Sequence, residues 1–206
     1  MANKTFLIDS GHGGMLNGVY QTPEKNGKQY TFTNGETAYE GVLNREIKKY
    51  VIDIFEQEGL RIIDICPTQI DIELDERVDM VNLYCREYGA NNCLLISLHS
   101  NAGKGTGFEI WTSEGQTKSD RYASMFGEVF MASFPDIKFR RDTKQGDIPK
   151  DAAFYILKYT KCSAILPEFL FFDMWKDYQK IKDPVYQMRY AKMIFDFAFR
   201  CEITPV

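Results

Sequence analysis

The sequence predicts one α/β domain covering residues 1–206, a mostly parallel twisted sheet of about six strands with helices on both faces. Three observations predict it. Short apolar or β-branched runs alternate with segments whose apolar residues recur at helical spacing. A chain of 206 residues is long enough for one well-filled core. No internal repeat, low-complexity tract or linker divides it.

The elements follow in order. Thr5–Asp9 reads as a first strand, and Met15–Tyr39, rich in Gly, Asn, Thr and Tyr, as a loop with a small hairpin. Leu43, Ile47, Val51 and Phe55 mark a helix stopped by Gly59. Arg61–Cys66 is a strand ended by Pro67. Leu74, Val78, Val81, Cys85 and Tyr88 form the face of a second helix, with Gly89 just past it. Cys93–Leu98 is apolar enough for a central strand, and residues 107–111 read as its neighbour. Ser119 is the expected cap of a helix with Tyr122, Phe126, Val129 and Phe130 inward. Ala152–Tyr159 is a weaker helix, and Ala164–Glu168 a late short strand. Asp183-Pro184 starts a final helix whose expected face is Val185, Met188, Ala191, Phe195 and Phe199.

Composition excludes several classes. Hydrophobic residues at 44% and charged residues at 26% are ordinary for a soluble globular protein. A net charge of -4 argues against a general nucleic-acid binder. The basic cluster Lys138, Arg140, Arg141 and Lys144 reads as a solvated loop. No apolar run approaches the roughly 20 residues of a membrane span. The chain enters its first strand without a secretory signal, so synthesis in the cytoplasm and later release to the site of action is the expectation. Five cysteines in apolar contexts, none in a Cys-x-x-Cys pair, favour reduced buried thiols over disulfides.

The chemistry is concentrated in two histidines, the only two in the chain. His12 and His99 each sit just past an apolar run that reads as a buried strand, where open α/β sheets bind ligands. A metal site is the reading that uses both. Catalytic Zn2+ usually takes three protein ligands and a water, so a third ligand is required. Glu40, at the start of the first helix, is the best candidate, with Glu36 and Glu24 as competitors in the same irregular stretch. Glu168 lies between Ala164-Ile165-Leu166 and Phe169-Leu170-Phe171-Phe172. Apolar surroundings raise a carboxyl group's pKa, which suits a general base, so Glu168 is assigned that role. Asp9 and Glu109 are the acids nearest to the histidines in the motif order. Asn101 is read as a turn residue, and Tyr20, Tyr30, Phe32 and Tyr39 as a small satellite core.

Asp9-Ser10-Gly11-His12-Gly13-Gly14, Glu40 with Asn44, Ser97-Leu98-His99-Ser100-Asn101-Ala102 and Ile165-Leu166-Pro167-Glu168 follow one another in the chain. Together they resemble the zinc-dependent N-acetylmuramoyl-L-alanine amidases of the amidase-3 type, over nearly the whole length. The resemblance implies Zn2+ bound by His12, Glu40 and His99, catalysis by Glu168, and a peptidoglycan substrate, with no nucleic-acid or membrane partner. It implies nothing about oligomeric state. Resemblance to phage and prophage endolysins, which are made in the cytosol and released by another protein, would explain a start without a visible leader. The chain departs from the family pattern at Ser10, where proline is usual, in the long stretch before Glu40, and at Pro167. Two alternatives stand beside this reading: another zinc amidase or carboxypeptidase acting on stem peptides, and a non-catalytic peptidoglycan-binding domain.

Overall fold

The computed structural model describes residues 4–142 and 148–204. Lys144 of the basic cluster lies outside them. In chain order the strands and helices are β1 (Thr5–Ser10), β2 (Met15–Leu16), β3 (Val19–Tyr20), β4 (Gln29–Thr31), β5 (Thr37–Tyr39), α1 (Glu40–Gln57), β6 (Ile62–Asp64), α2 (Leu74–Tyr88), β7 (Cys93–Asn101), β8 (Phe108–Thr112), α3 (Lys118–Ser133), β9 (Lys150–Asp151), α4 (Tyr155–Tyr159), β10 (Ser163–Phe171), α5 (Trp175–Ile181) and α6 (Pro184–Ile203).

The main sheet has six strands in the order β6-β1-β7-β10-β8-β9. β6, β1, β7 and β10 run parallel, and β8 pairs antiparallel with β10. All six residues of β1 are buried, as expected for a strand covered on both faces. On one face α1, α3 and α6 enclose a core that includes Phe6, Ile47, Val51, Phe126, Phe169 and Phe197. On the other, Val78, Val81 and Cys85 of α2 and Ile156 and Leu157 of α4 cover Leu7, Leu95 and Leu166.

Several expectations change in the structure. The stretch after β1 forms two hairpins, β2–β3 and β4–β5, where one was read. α3 is capped by Thr117: its hydroxyl accepts from the Ser119 amide while Asp120 accepts from the Thr117 amide. Ser119 is instead turned inward, its hydroxyl accepting from the Ala164 amide. The expected stripe on α6 is largely wrong, because Val185, Met188 and Phe199 are exposed. The helix is apolar on two sides, and aromatic packing selects the stripe of Tyr190, Ile194, Phe197 and Cys201. Tyr190 stacks on Phe169 with ring centroids 3.9 Å apart, and Phe197 meets Phe126 at 4.9 Å. Leu74, expected on the inner face of α2, is likewise exposed.

β10 extends past the expected end at Glu168. Pro167 lies inside it opposite Ile110 of β8, and the register with β7 shifts between Glu168 and Phe171. Leu170 adopts a left-handed φ of 62° at this bulge. A bulge re-aims side chains and ends regular pairing, and here it follows directly on Glu168. α5, which packs Trp175 and Tyr178 against Phe32, has no clear periodic signal in its 7 residues.

Replacing Thr117 by Ala removes one half of the reciprocal cap and is expected to lower unfolding free energy by about 1 kcal/mol. A urea titration checks this; an unchanged midpoint would show that the cap contributes nothing.

Candidate metal centre

Strand register assembles the site. Ser10 of β1 pairs with Leu98 of β7, and the Gly11 amide donates to the Leu98 carbonyl at 3.0 Å. The chain leaving β1 therefore passes beside the end of β7, which brings His12 to His99. Glu168 of β10 pairs directly with His99. α1 begins at Glu40 on the same side, and its Asn44 ties the two histidine segments together. The Asn44 amide donates to the Gly11 carbonyl at 3.3 Å, and its oxygen accepts from Ser100 at 3.2 Å.

Glu40 stands between the histidines and is 1% exposed. Its Oε1 lies 3.0 Å from His99 Nδ1 and 3.2 Å from His12 Nε2. The two imidazole rings are 5.1 Å apart at 87°. One ligand atom from each of the three residues falls within 4.8 Å of the others. Glu36 is turned away, its carboxylate 2.5 Å from Lys182 Nζ and 3.0 Å from the Tyr178 hydroxyl. Glu24 is exposed in a short helical turn. Of the acids in this stretch, Glu40 is the one beside both histidines.

The donor set suits a metal ion. His12 Nε2 and Glu40 Oε2 are buried atoms without an aligned hydrogen-bond partner. The 3.2 Å approach of His12 Nε2 to Glu40 is close without being aligned. Buried polar atoms left unpaired are costly, and a shared cation satisfies them together. Two imidazoles and a carboxylate are also the ligand types that catalytic Zn2+ takes.

Burial and charge together shift the two histidines in opposite directions. Burial pulls His12 below its usual pKa against the pull of Glu40. His99 is also disfavoured as a cation by burial, but Glu40, Glu168 and Asp9 outweigh this and raise it. Burial pushes the Glu168 carboxyl up to about 8, with Glu40 and Glu109 adding to the effect and His99 opposing it. Its Oε2 is a third buried atom without a partner.

Beneath the histidines lies a buried ion pair. Arg77 Nη1 of α2 donates to Asp9 at 2.6 Å and to the Ser10 carbonyl at 2.8 Å, while Nη2 reaches the His12 carbonyl at 3.1 Å. Ser97 donates to the other Asp9 oxygen at 2.6 Å. Nη2 also pairs with Asp71, which accepts from Thr22, and the Thr22 hydroxyl accepts from the Gly13 amide. This network holds the loop on which His12 sits at a left-handed φ of 67°, an uncommon conformation that needs support. Glu109 pairs with Arg140 and with Lys150 at 3.0 Å. The two nearby acids thus brace the site through cations. Gly11 has a local reason: a Cβ there would lie 2.1 Å from the His99 ring.

The motifs pointed to His12, Glu40, His99 and Glu168, and the structure brings all four to one end of the sheet. Arg77 and Lys28, whose Nζ lies 3.2 Å from Glu40 Oε2, were missed. An arginine next to the apolar stripe of α2 was the available signal for the first; nothing local marked the second. Tyr20 packs on Tyr39 and Tyr30 on Phe32, at 4.8 and 5.0 Å between centroids, a small aromatic cluster beside the site. Asn101 accepts from the Ala102 amide at 2.8 Å, a turn role.

A mixed sheet with two strand-end histidines and a carboxylate between them defines an α/β protein with a metal-binding donor set. Residues 6–198 match the family model described as N-acetylmuramoyl-L-alanine amidase, and the chain belongs to that family. It is 26% identical over 188 residues to the N-acetylmuramoyl-L-alanine amidase CwlM of Bacillus licheniformis, covering 90% of this chain and 64% of the relative. The fold matches the crystal structure of an N-acetylmuramoyl-L-alanine amidase from Clostridium difficile 630, with a TM-score of 0.76, 23% identity and 100% of each chain covered. It also matches the catalytic domain of the CD27L endolysin that targets Clostridia Difficile, with a TM-score of 0.61, 20% identity, and 96% of this chain and 97% of that one covered.

Asp9 gives a pH test of the scaffold. Burial opposes its charge, but Arg77, Ser97 and His99 outweigh this and hold its carboxyl below the ordinary 3.8. Its contribution is complete above that unfolded value and is lost as pH falls through it toward the lowered folded value. Asp9→Asn, which leaves Arg77 buried without its anion, is expected to cost about 3–5 kcal/mol near neutrality. The gap from the wild type should shrink below pH 3.8. A pH-independent gap in urea titrations would show that the charge on Asp9 is not what matters.

Proposed function

We propose that this chain is a zinc-dependent hydrolase that cleaves the amide joining N-acetylmuramic acid to L-alanine in peptidoglycan. The observation that carries the proposal is the set of buried, unpaired donor atoms on His12 and Glu40, completed by His99, with Glu168 paired beside it. Membership of the N-acetylmuramoyl-L-alanine amidase family supports the choice of substrate.

In this reading His12, Glu40 and His99 hold Zn2+, which would supply a Lewis acid for the carbonyl and a water of lowered pKa. The residues do the rest. Asn44 and the Arg77 network fix the two histidine segments relative to Glu40, so that the donors need little rearrangement. Glu168 binds a proton up to about pH 8 when only protein groups surround it. Positive charge beside it lowers that value, which lets the carboxylate take a proton from the attacking water and hand it to the departing amine. A cavity of about 550 Å³ opens over His12 and His99, and Gln21, Lys25, Asn26 and Asp71 offer polar contacts there for a stem peptide.

The place of action in this proposal is the cell wall. No helix among the described residues is long and apolar enough to cross a membrane.

Mass spectrometry of digested cell walls tests the bond that is cut. The expected products are intact glycan and stem peptides with a free L-alanine amine, and a chelator should stop their formation. Release of single amino acids, or equal digestion with chelator, would overturn the proposal. Glu168→Gln is expected to keep its zinc by elemental analysis while turnover falls about 1000-fold. A raised folded pKa also means that the wild type without metal loses stability as pH climbs from 4.5 to about 8. Glu168→Gln should flatten that slope in thermal melts of the metal-free protein, and a slope that persists would place the titration elsewhere.

A further inference from the structure

Lys28 is the last residue before β4 and lies where the inserted hairpin meets the start of α1. Its carbonyl accepts from the Glu40 amide at 3.0 Å and from the Tyr20 hydroxyl at 3.1 Å. The Tyr20 oxygen in turn accepts from the Gly41 amide at 3.0 Å. The backbone of Lys28 is therefore pinned to the first turn of α1, and the inserted segment delivers its side chain to a defined place.

That place is beside Glu40 of the candidate metal centre. Lys28 Nζ lies 3.2 Å from Glu40 Oε2, while Glu40 Oε1 makes the two histidine contacts. Its side chain is 34% exposed whereas Glu40 is 1% exposed, so the ammonium stays open to solvent beside a buried carboxylate. Its charge is felt at His12 and at Glu168 as well. A lysine serving only to neutralise a buried carboxylate would make a short aligned hydrogen bond to it. Glu40 Oε2 has no aligned partner. A dication held by Glu40 would repel the ammonium, so the natural partner for Lys28 is negative charge that arrives with the reacting substrate.

We propose that Lys28 is a catalytic residue whose ammonium stabilises the oxyanion formed as the scissile amide becomes tetrahedral. The inference rests on the amide hydrolysis proposed above. As the water oxygen bonds to the carbonyl carbon, the C=O electron pair moves onto oxygen, the water's proton passes to Glu168, and Lys28 keeps its own protons. The C–N bond then breaks as the electron pair returns and the amine leaves with the proton held by Glu168. A donor aimed at charge that exists mainly in the transition state acts on turnover more than on substrate binding.

The test compares zinc-loaded wild type, Lys28→Met and Lys28→Arg in two assays. In the first, inorganic phosphate is titrated calorimetrically as a tetrahedral anion. In the second, kcat and KM are measured on an N-acetylmuramoyl-L-alanyl peptide. Lys28→Met is expected to keep its zinc and melting temperature, to bind phosphate about 10-fold more weakly, and to lose about 100-fold in kcat with little change in KM. Lys28→Arg, which retains charge and donors, should recover most of both losses. Unchanged phosphate affinity would overturn the proposal. So would a rise in KM alone, which would make Lys28 a docking site for a substrate carboxylate, or loss of zinc, which would make it a support for Glu40. Should phosphate binding depend on Lys28 while the wild type cuts no muramoyl amide, the substrate reading falls and the anion-stabilising role stands.

Discussion

The parallel register of β1, β7 and β10 is the constraint on which the rest depends. Because Ser10 pairs with Leu98 and Glu168 with His99, segments distant in sequence end side by side. A one-residue slip of a strand turns every side chain to the opposite face. Here such a slip would separate His99 from both Glu40 and Glu168. The buried runs Phe6–Ile8 and Leu94–Ile96 resist it, since each alternates between the two helical layers and both layers are filled.

That register places a dense group of charges at one end of the sheet, and the fold has to accommodate it. Asp9, Glu40 and Glu109 are each under 5% exposed, a costly place for carboxylates. Asp9 is compensated by Arg77 and Ser97, and Glu109 by Arg140 and Lys150. Glu40 and Glu168 are treated differently. Each retains a buried oxygen without an aligned partner. Left-handed φ angles occur at His12 and at Leu170, just beyond Glu168, and also at Asn17 and Lys104 in loops.

Much of this was legible in the sequence, for physical reasons that also mark where legibility stopped. The fold class, most strands and the long helices follow from periodicity that burial imposes directly. The nearness of His12, His99 and Glu168 follows from the rule that the ends of parallel strands share one side of a sheet. Glu40 is preferred over Glu36 for its place at the start of the first helix, and one helical turn on, Asn44 bridges Gly11 and Ser100. The α6 stripe misled because Val185, Met188 and Phe199 are as apolar as the residues that face the core. The Thr117 cap was missed because Ser119 is an equally good capping residue by type. Arg77 had one signal, its place beside the apolar stripe of α2, whereas Lys28 had none, since its importance lies in where a long side chain reaches across the fold.

The central claim is that His12, Glu40 and His99 together hold a metal ion beside Glu168. Crystals soaked in zinc and measured on both sides of the zinc absorption edge test it most directly. The account predicts an anomalous peak bonded to both imidazoles and the Glu40 carboxylate, at Zn–N and Zn–O distances of about 2.0–2.2 Å. Glu168 should lie beside it without bonding to it. A peak ligated by Glu36 or Glu168 in place of Glu40, or no peak between the histidines in zinc-saturated crystals, would contradict it.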